Sequence, residues 1–383
     1  MNIIDYVKKL GNKDFTETPF RDADVLVFAA LSYMHFDKVA PDYSEKDACF
    51  YLGELTDEQI PLIGPITKRG KREKEELLRA VRNSERFRDV GIKFVMNVFD
   101  DEFLEQFFAL TFVIPENGLF IVYRGTDSSL VGWKENCVTM WQGASAAQID
   151  SIEYLRLVFS HIGNEKVMIG GHSKGGNLAY YAMIYSPAEF NERITKAYSL
   201  DGPGFFTKDY RSRPNYEKSL DRMVQIVPRD SIVGEIFYTP NNHTVINARG
   251  KGISQHHIYC WEITDSGELD YIEKRSFYTR IWHRTTKTWA RHRKKEDRAL
   301  FVDGLLKAFT DENDEFQIMT GSKAKLVIKT ARENYPFRTR IRFYFTVISL
   351  GLEFIGNTFY YIFKPSGSKA KKNDVSDMSE AEK

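Results

Sequence analysis

The first third of the chain combines short apolar runs with stretches of helical periodicity. Apolar residues recur at near-helical spacing from Asp22 to Phe36, and the charged stretch from Lys68 to Arg88 carries a narrow apolar stripe. Both patterns predict helices. The runs Ile92–Val98 and Phe107–Ile114 predict strands. The run Leu119–Tyr123 is continuously apolar, which is typical of a strand buried on both faces.

Turn residues and further apolar runs extend this pattern along the chain. Asn117-Gly118 is a hairpin signal between two of the predicted strands. Val167–Ile169 predicts another strand, and Leu178–Ile184 predicts the helix that follows it. Three more short runs predict downstream strands: Ala197–Leu200, Met223–Val227 and Thr244–Asn247. We therefore expect an α/β fold with a mostly parallel central sheet.

The segment Gly171-His172-Ser173-Lys174-Gly175 separates a predicted strand from a predicted helix. A serine flanked by glycines at such a turn is the pattern of the nucleophile elbow of α/β-hydrolases. Small residues are needed because the turn leaves no room for a Cβ beside the serine. In such an elbow Lys174 contributes its N–H, and we expect its side chain to face solvent. The alternative is that Ser173 only caps the helix.

Acid and base candidates follow Ser173 in the order that α/β-hydrolases use. Asp201 ends the first predicted strand after the serine, and Asp230 follows the second. We favour Asp230 because the acid most often follows the second strand, whereas Asp201 in Asp-Gly-Pro-Gly is explained by turn formation. The base candidates are His256 and His257, of which only one can face Ser173 if the segment is extended.

Two motifs in this order resemble those of a known group of enzymes. Tyr-Arg-Gly-Thr-Asp at 123–127 and Gly-Gly-His-Ser-Lys-Gly-Gly-Asn at 170–177 are similar to motifs of the fungal-type (class 3) triacylglycerol lipases. The resemblance is closer to a lipase-like family of uncharacterised bacterial proteins. It runs from about Asp14 to Ile263 and includes Gly132-Trp133-Lys134-Glu135 and Gln255-His256. Lys174 departs from the lipases, which have an apolar residue there, and no lid segment is evident.

The resemblance implies an α/β-hydrolase fold and a role for each matching residue. It implies Ser173 as nucleophile, Asp230 as acid and His256 as base, with an oxyanion hole formed by Thr126 and the N–H of Lys174. The expected activity is hydrolysis of a carboxylic ester of a lipid or another acyl group, with no metal and no cofactor. Two alternatives stay open: a catalytically silent hydrolase fold used for binding, and an acyltransferase with the same triad.

Composition limits the setting in which the protein acts. The 383 residues include 54 Lys and Arg against 53 Asp and Glu, so the net charge of +1 gives no global attraction to nucleic acid. The three cysteines, Cys49, Cys137 and Cys260, are widely spaced, which fits a reducing compartment and gives no metal-binding spacing. The first residues lack the pattern of a secretory signal, so we expect a cytoplasmic protein.

The composition changes beyond Ile263, the end of the predicted hydrolase domain that starts at Phe15. Residues 264–365 are basic and helical in pattern, and the polar residues 366–383 should be disordered. Phe343–Phe363 is unusually apolar and aromatic with basic flanks, although Glu353 interrupts it. It should either pack on the hydrolase domain or associate with a membrane surface. The Arg-rich run near Arg275 lacks a nucleic-acid motif, so lipid or solvent contact is favoured there.

Overall fold

The chain is a mixed α/β protein in the part that the computed structural model describes. The described residues are 1–45, 47–64, 71–102, 104–126, 131–132, 134–135, 139–140, 143–309 and 324–363. The expected disordered tail at 366–383 lies outside them, as do Asp127 and Trp133 of the two motif stretches.

The described residues form a nine-stranded sheet whose spatial order is the order of the strands along the chain. The strands are β1 (Phe50–Tyr51), β2 (Gly91–Asp100), β3 (Glu105–Ile114), β4 (Gly118–Tyr123), β5 (Val167–His172), β6 (Ile194–Leu200), β7 (Met223–Pro228), β8 (His243–Ile246) and β9 (Tyr271–Ile272). Strands β4 to β8 are parallel. The pairs at both ends of the sheet are antiparallel, so the expected parallel sheet is limited to the centre.

The turn between β3 and β4 forms at the predicted Asn117-Gly118 hairpin signal. Ile114 pairs with Gly118, and the turn places Glu116 at φ 61° and Gly118 at φ 77°. Glycine adopts such positive φ values without steric cost, which is why it is common in tight turns. The predicted hairpin is therefore confirmed.

Helices lie on both faces of the sheet and beyond its last strand. They are α1 (Ile3–Leu10), α2 (Asp22–Leu31), α3 (Gln59–Ile63), α4 (Lys71–Arg82), α5 (Ala146–His161), α6 (Lys174–Tyr185), α7 (Ala188–Arg193), α8 (Pro214–Ser219), α9 (Phe277–His292), α10 (Lys295–Phe309), α11 (Ala324–Asn334) and α12 (Phe337–Phe363). The predicted helix that starts at Asp22 is confirmed but ends before Phe36, which begins a short 3-10 helix. The charged helix is confirmed as α4.

Each face of the sheet has its own apolar core. Phe120 and Val122 of β4 belong to a cluster with α1, α2 and α4, whereas Ile121 and Tyr123 belong to one with α5 and α6. Successive strand residues point to opposite faces, so a continuously apolar strand can serve both cores. β4 is buried on both faces, as its sequence predicts.

A buried carboxylate connects α9 to the sheet. Glu235 is fully buried and forms an ion pair with Arg275, and its carboxylate lies 3.0 Å from His243 Nδ1 and 3.1 Å from His283 Nδ1. Burial alone would raise the pKa of Glu235, but His243 and Arg275 override it and lower the pKa to about 2. Burial also lowers the pKa of His283 to about 3. The His283 imidazole is therefore neutral near pH 7 and donates its Nδ1 proton to the Glu235 backbone carbonyl at 2.8 Å.

The C-terminal helices pack against one another around a third, smaller cluster. Trp289 of α9 and Leu306 of α10 lie in this cluster, and Leu350 of α12 packs against it. The long helix α12 runs along α9 and α10 and contains the apolar segment Phe343–Phe363. Among the described residues, none of the helices combines the length and apolarity that crossing a bilayer requires.

Candidate active site

Ser173 lies at a sharp turn between β5 and α6, as its sequence context predicts. Its backbone has φ 57° and ψ −128°, a combination that is rare for any residue other than glycine. The Ser173 N–H donates to the Leu200 carbonyl of the neighbouring strand at 2.9 Å, which anchors the turn. A strained residue held by its surroundings is typical of functional sites.

The glycines on both sides of Ser173 are needed because β4 passes very close to the turn. A Cβ added to Gly171 would lie 2.4 Å from the Tyr123 carbonyl oxygen, and one added to Gly175 would lie 2.0 Å from it. No real side chain tolerates such distances, so the predicted steric reason for the glycines is confirmed. This close packing joins β5, α6 and β4 into one rigid unit.

A histidine–carboxylate pair lies at the end of the strand next to Ser173. β5 and β6 are parallel, and His172 pairs with Leu200, so Asp201 follows its strand beside Ser173. Asp201 is fully buried and its Oδ2 accepts the Nδ1 proton of His256 at 2.7 Å. Its Oδ1 accepts hydrogen bonds from the Ser231 hydroxyl and the Gly234 N–H, at 2.5 and 3.1 Å.

The carboxylate bonded to His256 is therefore that of Asp201 and not that of Asp230, which the sequence analysis favoured. Asp230 follows β7, one strand further from Ser173, and its backbone N–H donates to Gln255 Oε1 at 2.7 Å. The sheet order explains the difference, because β6 is paired directly with β5, whereas β7 is separated from β5 by β6. Turn formation alone does not account for Asp201, because its carboxylate is completely buried.

The two histidine candidates have different environments. His256 ends a short 3-10 helix, Gly252–His256, rather than lying in an extended segment, and it is half-buried. His257 is exposed and its ring lies 5.4 Å from that of Tyr259. Of the two histidines, His256 is the one bonded to Asp201. Among the described residues Ser173 Oγ makes no hydrogen bond. In structures without substrate this is common, because catalytic hydrogen bonds often form fully only when the substrate binds.

A second histidine, His172, is hydrogen-bonded to the backbone of His256. His172 is buried, its Nε2 lies 2.9 Å from the His256 carbonyl oxygen, and its Nδ1 lies 2.9 Å from the Tyr33 hydroxyl. Burial holds the pKa of His172 well below its usual value, so its ring is neutral. A neutral ring has one N–H, which must go to the carbonyl, so Tyr33 donates to Nδ1. This chain fixes the main chain that carries the His256 side chain.

The side chain of Lys174 does not face solvent, contrary to the sequence expectation. It is only 5% exposed, and its Nζ donates to Glu135 Oε2 at 2.8 Å and to Gln106 Oε1 at 3.0 Å. Glu135 also accepts the Ala147 N–H at the start of α5, at 2.8 Å. The residue after Ser173 is thus fixed by a buried ion pair to the segment that follows β4.

The predicted oxyanion donors are on the two segments that meet beside Ser173. Lys174 is the first residue of α6, where N–H groups and the helix dipole favour an anion. Thr126 is half-buried and follows β4, whose last residue Tyr123 pairs with Gly171 at the end of β5. Both residues therefore belong to strand or helix ends that converge on Ser173.

A cavity of about 470 Å³ opens beside the first turn of α6. It shares Gln148, Asn177 and Gly204 with a smaller cavity that reaches Lys174. Four aromatic side chains contribute to its wall: Tyr181, Tyr185, Phe205 and Phe206. Four charged residues also line it, namely Asp209, Arg213, Lys295 and Arg298, and the last two are on α10, so the C-terminal helices help to shape this space.

The comparisons with known proteins identify the family of this mixed α/β chain. The sequence model of the Mbeg1-like family matches residues 81–307, which is more than half of the chain. The chain belongs to the Mbeg1-like family. No curated protein and no solved structure matches it. The matched range includes Ser173, Asp201 and His256.

Sequence reasoning missed three residues that support this site: Tyr33, His172 and Glu135. Glu135 had a signal, because it lies in one of the stretches that carry the lipase resemblance. His172 lies within the serine motif, but the sequence does not reveal its bond to the His256 carbonyl. Tyr33 had no signal, since it follows a helix far from any motif and reaches the site only through the fold.

Proposed function

We propose that this protein is a serine hydrolase that cleaves a carboxylic ester through Ser173, His256 and Asp201. The observation that carries the proposal is the strained Ser173 between β5 and α6, with a buried Asp201–His256 pair at the next strand end. The same features support an α/β-hydrolase fold of the lipase-like type, because the parallel strands β4 to β8 lead into this edge.

In the proposed reaction Ser173 Oγ attacks the ester carbonyl while His256 Nε2 takes the hydroxyl proton. Asp201 accepts the Nδ1 proton in a hydrogen bond, so Nε2 has the lone pair that the base needs. The imidazolium then gives its proton to the leaving alcohol, and the acyl group remains on Ser173. A water molecule, deprotonated by His256 in the same way, releases the carboxylic acid.

The oxyanion of each tetrahedral intermediate would be held by the N–H of Lys174 and by Thr126. Preorganised donors of this kind are worth about 3 to 4 kcal/mol each in acyl-transfer enzymes. The buried Lys174–Glu135 pair supports this role, because it fixes the helix start relative to the segment after β4. The positive end of α6 adds to the stabilisation of negative charge.

The aromatic cavity supports an acyl chain as the substrate's apolar part. Its volume of about 470 Å³ is within the range of small-molecule pockets. Its position beside Asn177, one turn after Ser173 on α6, would place an apolar chain close to the serine. A fatty acyl or other hydrophobic ester is therefore the substrate class that we propose.

A fluorophosphonate probe tests the nucleophile. The probe should label the full-length protein, and Ser173→Ala should abolish labelling while keeping the melting temperature of the parent. Ser186→Ala serves as a matched control, because Ser186 is a buried serine at the other end of α6. Equal labelling of the parent and of Ser173→Ala would rule out the proposed nucleophile.

Two outcomes identify the alternative functions. A protein that binds short-chain and long-chain p-nitrophenyl esters without labelling or turnover is a silent binding module. If turnover occurs, added alcohol distinguishes the remaining classes, because an acyltransferase forms a new ester whereas a hydrolase releases only the acid. We expect the hydrolase outcome, with the acid as the product.

A further inference from the structure

One face of α12 is a continuous apolar strip that the rest of the described chain leaves exposed. The residues of this strip recur at alternating spacings of four and three and are 52% to 64% exposed: Ile341, Phe345, Ile348, Leu352, Ile355, Phe359 and Ile362. At a rise of about 1.5 Å per residue the strip is about 32 Å long. Such a patch on a soluble surface marks an interaction site.

The strip is not a core face that has been left unpacked, because the opposite side of α12 is well packed. Trp289 Nε1 donates to Ser349 Oγ at 3.0 Å, and Arg284 Nε donates to Asn357 Oδ1 at 2.8 Å. Phe343 is fully buried against α10. Glu353, which interrupts the apolar sequence, turns towards α9 and pairs with His292 at 2.9 Å. The strip itself contains no charged residue.

Arginines flank the strip at several points and carry their charge next to aromatic residues of α12. The Arg293 guanidinium lies 5.8 Å from the Phe345 ring, and that of Arg284 lies 4.0 Å from the Tyr360 ring. Arg338 is exposed at the N-terminal end of α12. Arginine and aromatic side chains beside an apolar face are the composition of helices that lie in membrane interfaces.

We propose that this strip binds the surface of an anionic lipid bilayer, with α12 lying in the plane of the head groups. The apolar side chains would enter the acyl boundary, and the bordering arginines would contact lipid phosphates. Charge decides between lipid and a second copy of this chain. Two copies that paired their strips would bring arginine borders together, while the nearby carboxylates Asp297 and Glu353 are already paired within each copy.

The proposal does not depend on ester hydrolysis, because it rests on α12 and its neighbours alone. If both proposals hold, the lipid surface would supply the hydrophobic ester substrate to the cavity that α10 helps to form. A failure of either one leaves the other testable, since vesicle binding and serine labelling are separate measurements.

Vesicle co-sedimentation of the full chain tests the strip. The protein should sediment with vesicles of equal parts phosphatidylcholine and phosphatidylglycerol, and much less with phosphatidylcholine alone. The double variant Phe345→Glu, Leu352→Glu should bind anionic vesicles at least tenfold more weakly. Replacing Arg338 by Gln should weaken binding by about fivefold.

The control variant is Phe99→Glu, because Phe99 is 59% exposed on β2, outside the C-terminal helices. It should bind vesicles like the parent, and all variants should keep the parent melting temperature since the changed residues are exposed. Absence of parent sedimentation with anionic vesicles overturns the proposal, as does equal sedimentation of the double variant. A dimer that the double variant converts to a monomer, without vesicle binding by the parent, would assign the strip to a second copy instead.

Discussion

Replacing Asp201 by Asn tests whether the Asp201 carboxylate, rather than another carboxylate nearby, is the acid of the proposed triad. Asn has the shape of Asp, and its Oδ1 can still accept from the Ser231 hydroxyl and the Gly234 N–H. Its NH2 group takes the place of Oδ2 and points a donor at His256 Nδ1. The imidazole must then accept at Nδ1 and carry its proton on Nε2, which is the wrong tautomer for removing a proton from Ser173.

The expected loss follows from that tautomer change. Hydrolases whose triad acid becomes an amide lose about four orders of magnitude in kcat, which is about 5.4 kcal/mol of transition-state stabilisation. The loss in folding free energy should be smaller, about 1 to 3 kcal/mol, because two hydrogen bonds to the side chain lose only their charged acceptor and the third reverses its direction. The variant should therefore fold but turn over ester about 10⁴ times more slowly, with little change in KM.

The assay is steady-state hydrolysis of a p-nitrophenyl ester, with unfolding by denaturant as the check on the fold. Asp230→Asn is the matched control, because Asp230 follows the next strand and bonds through its backbone N–H rather than its carboxylate. Its kcat should stay within about twofold of the parent, as expected for a residue outside the transition state. An inactive Asp230→Asn beside an active Asp201→Asn would refute the assignment of the acid.

Two further predictions concern buried charges. Glu135→Gln leaves the buried Lys174 ammonium without its anion and should lower the free energy of unfolding by about 3 to 5 kcal/mol, measured with denaturant. Glu153→Gln, which breaks an exposed pair, should lower it by less than about 1 kcal/mol. Similar losses for both variants would contradict a buried pair. In the folded protein His283 stays neutral down to about pH 3, whereas in the unfolded chain it takes up a proton below about pH 6.5. The free energy of unfolding should therefore fall as the pH drops from about 6.5 to about 3, by up to about 1.4 kcal/mol per pH unit. His283→Gln should flatten that slope, and an unchanged slope would argue against a neutral buried imidazole.

The sequence predicts the elements around Ser173 well because their signals are local. A glycine-flanked serine between an apolar run and a helix depends only on neighbouring residues, and so does the Asn117-Gly118 turn. The same is true of β4, whose unbroken apolar run reflects burial on both faces. These predictions needed no knowledge of which strands are neighbours.

The choice of acid could not be made from the sequence, because it depends on strand order. Asp201 and Asp230 both follow apolar runs, and only the register of β5 with β6 brings Asp201 beside Ser173. The burial of Lys174 was equally hidden, since its partner Glu135 lies 39 residues away. Long-range pairing of charged residues leaves no periodic signal in a single sequence.

The uninterrupted order of the strands has a consequence for how the protein can be divided. Because each central strand is added on the same side of its predecessor, the crossover helices α5 and α6 collect on one face of the sheet. The other face is covered by helices that come before β2, namely α1, α2 and α4. The Mbeg1-like match starts at Val81 and therefore leaves out α1, α2 and nearly all of α4. A fragment cut at this boundary would expose Phe120, Val122 and their neighbours to water, so the range that matches the family omits part of the polypeptide that covers the apolar core of this chain.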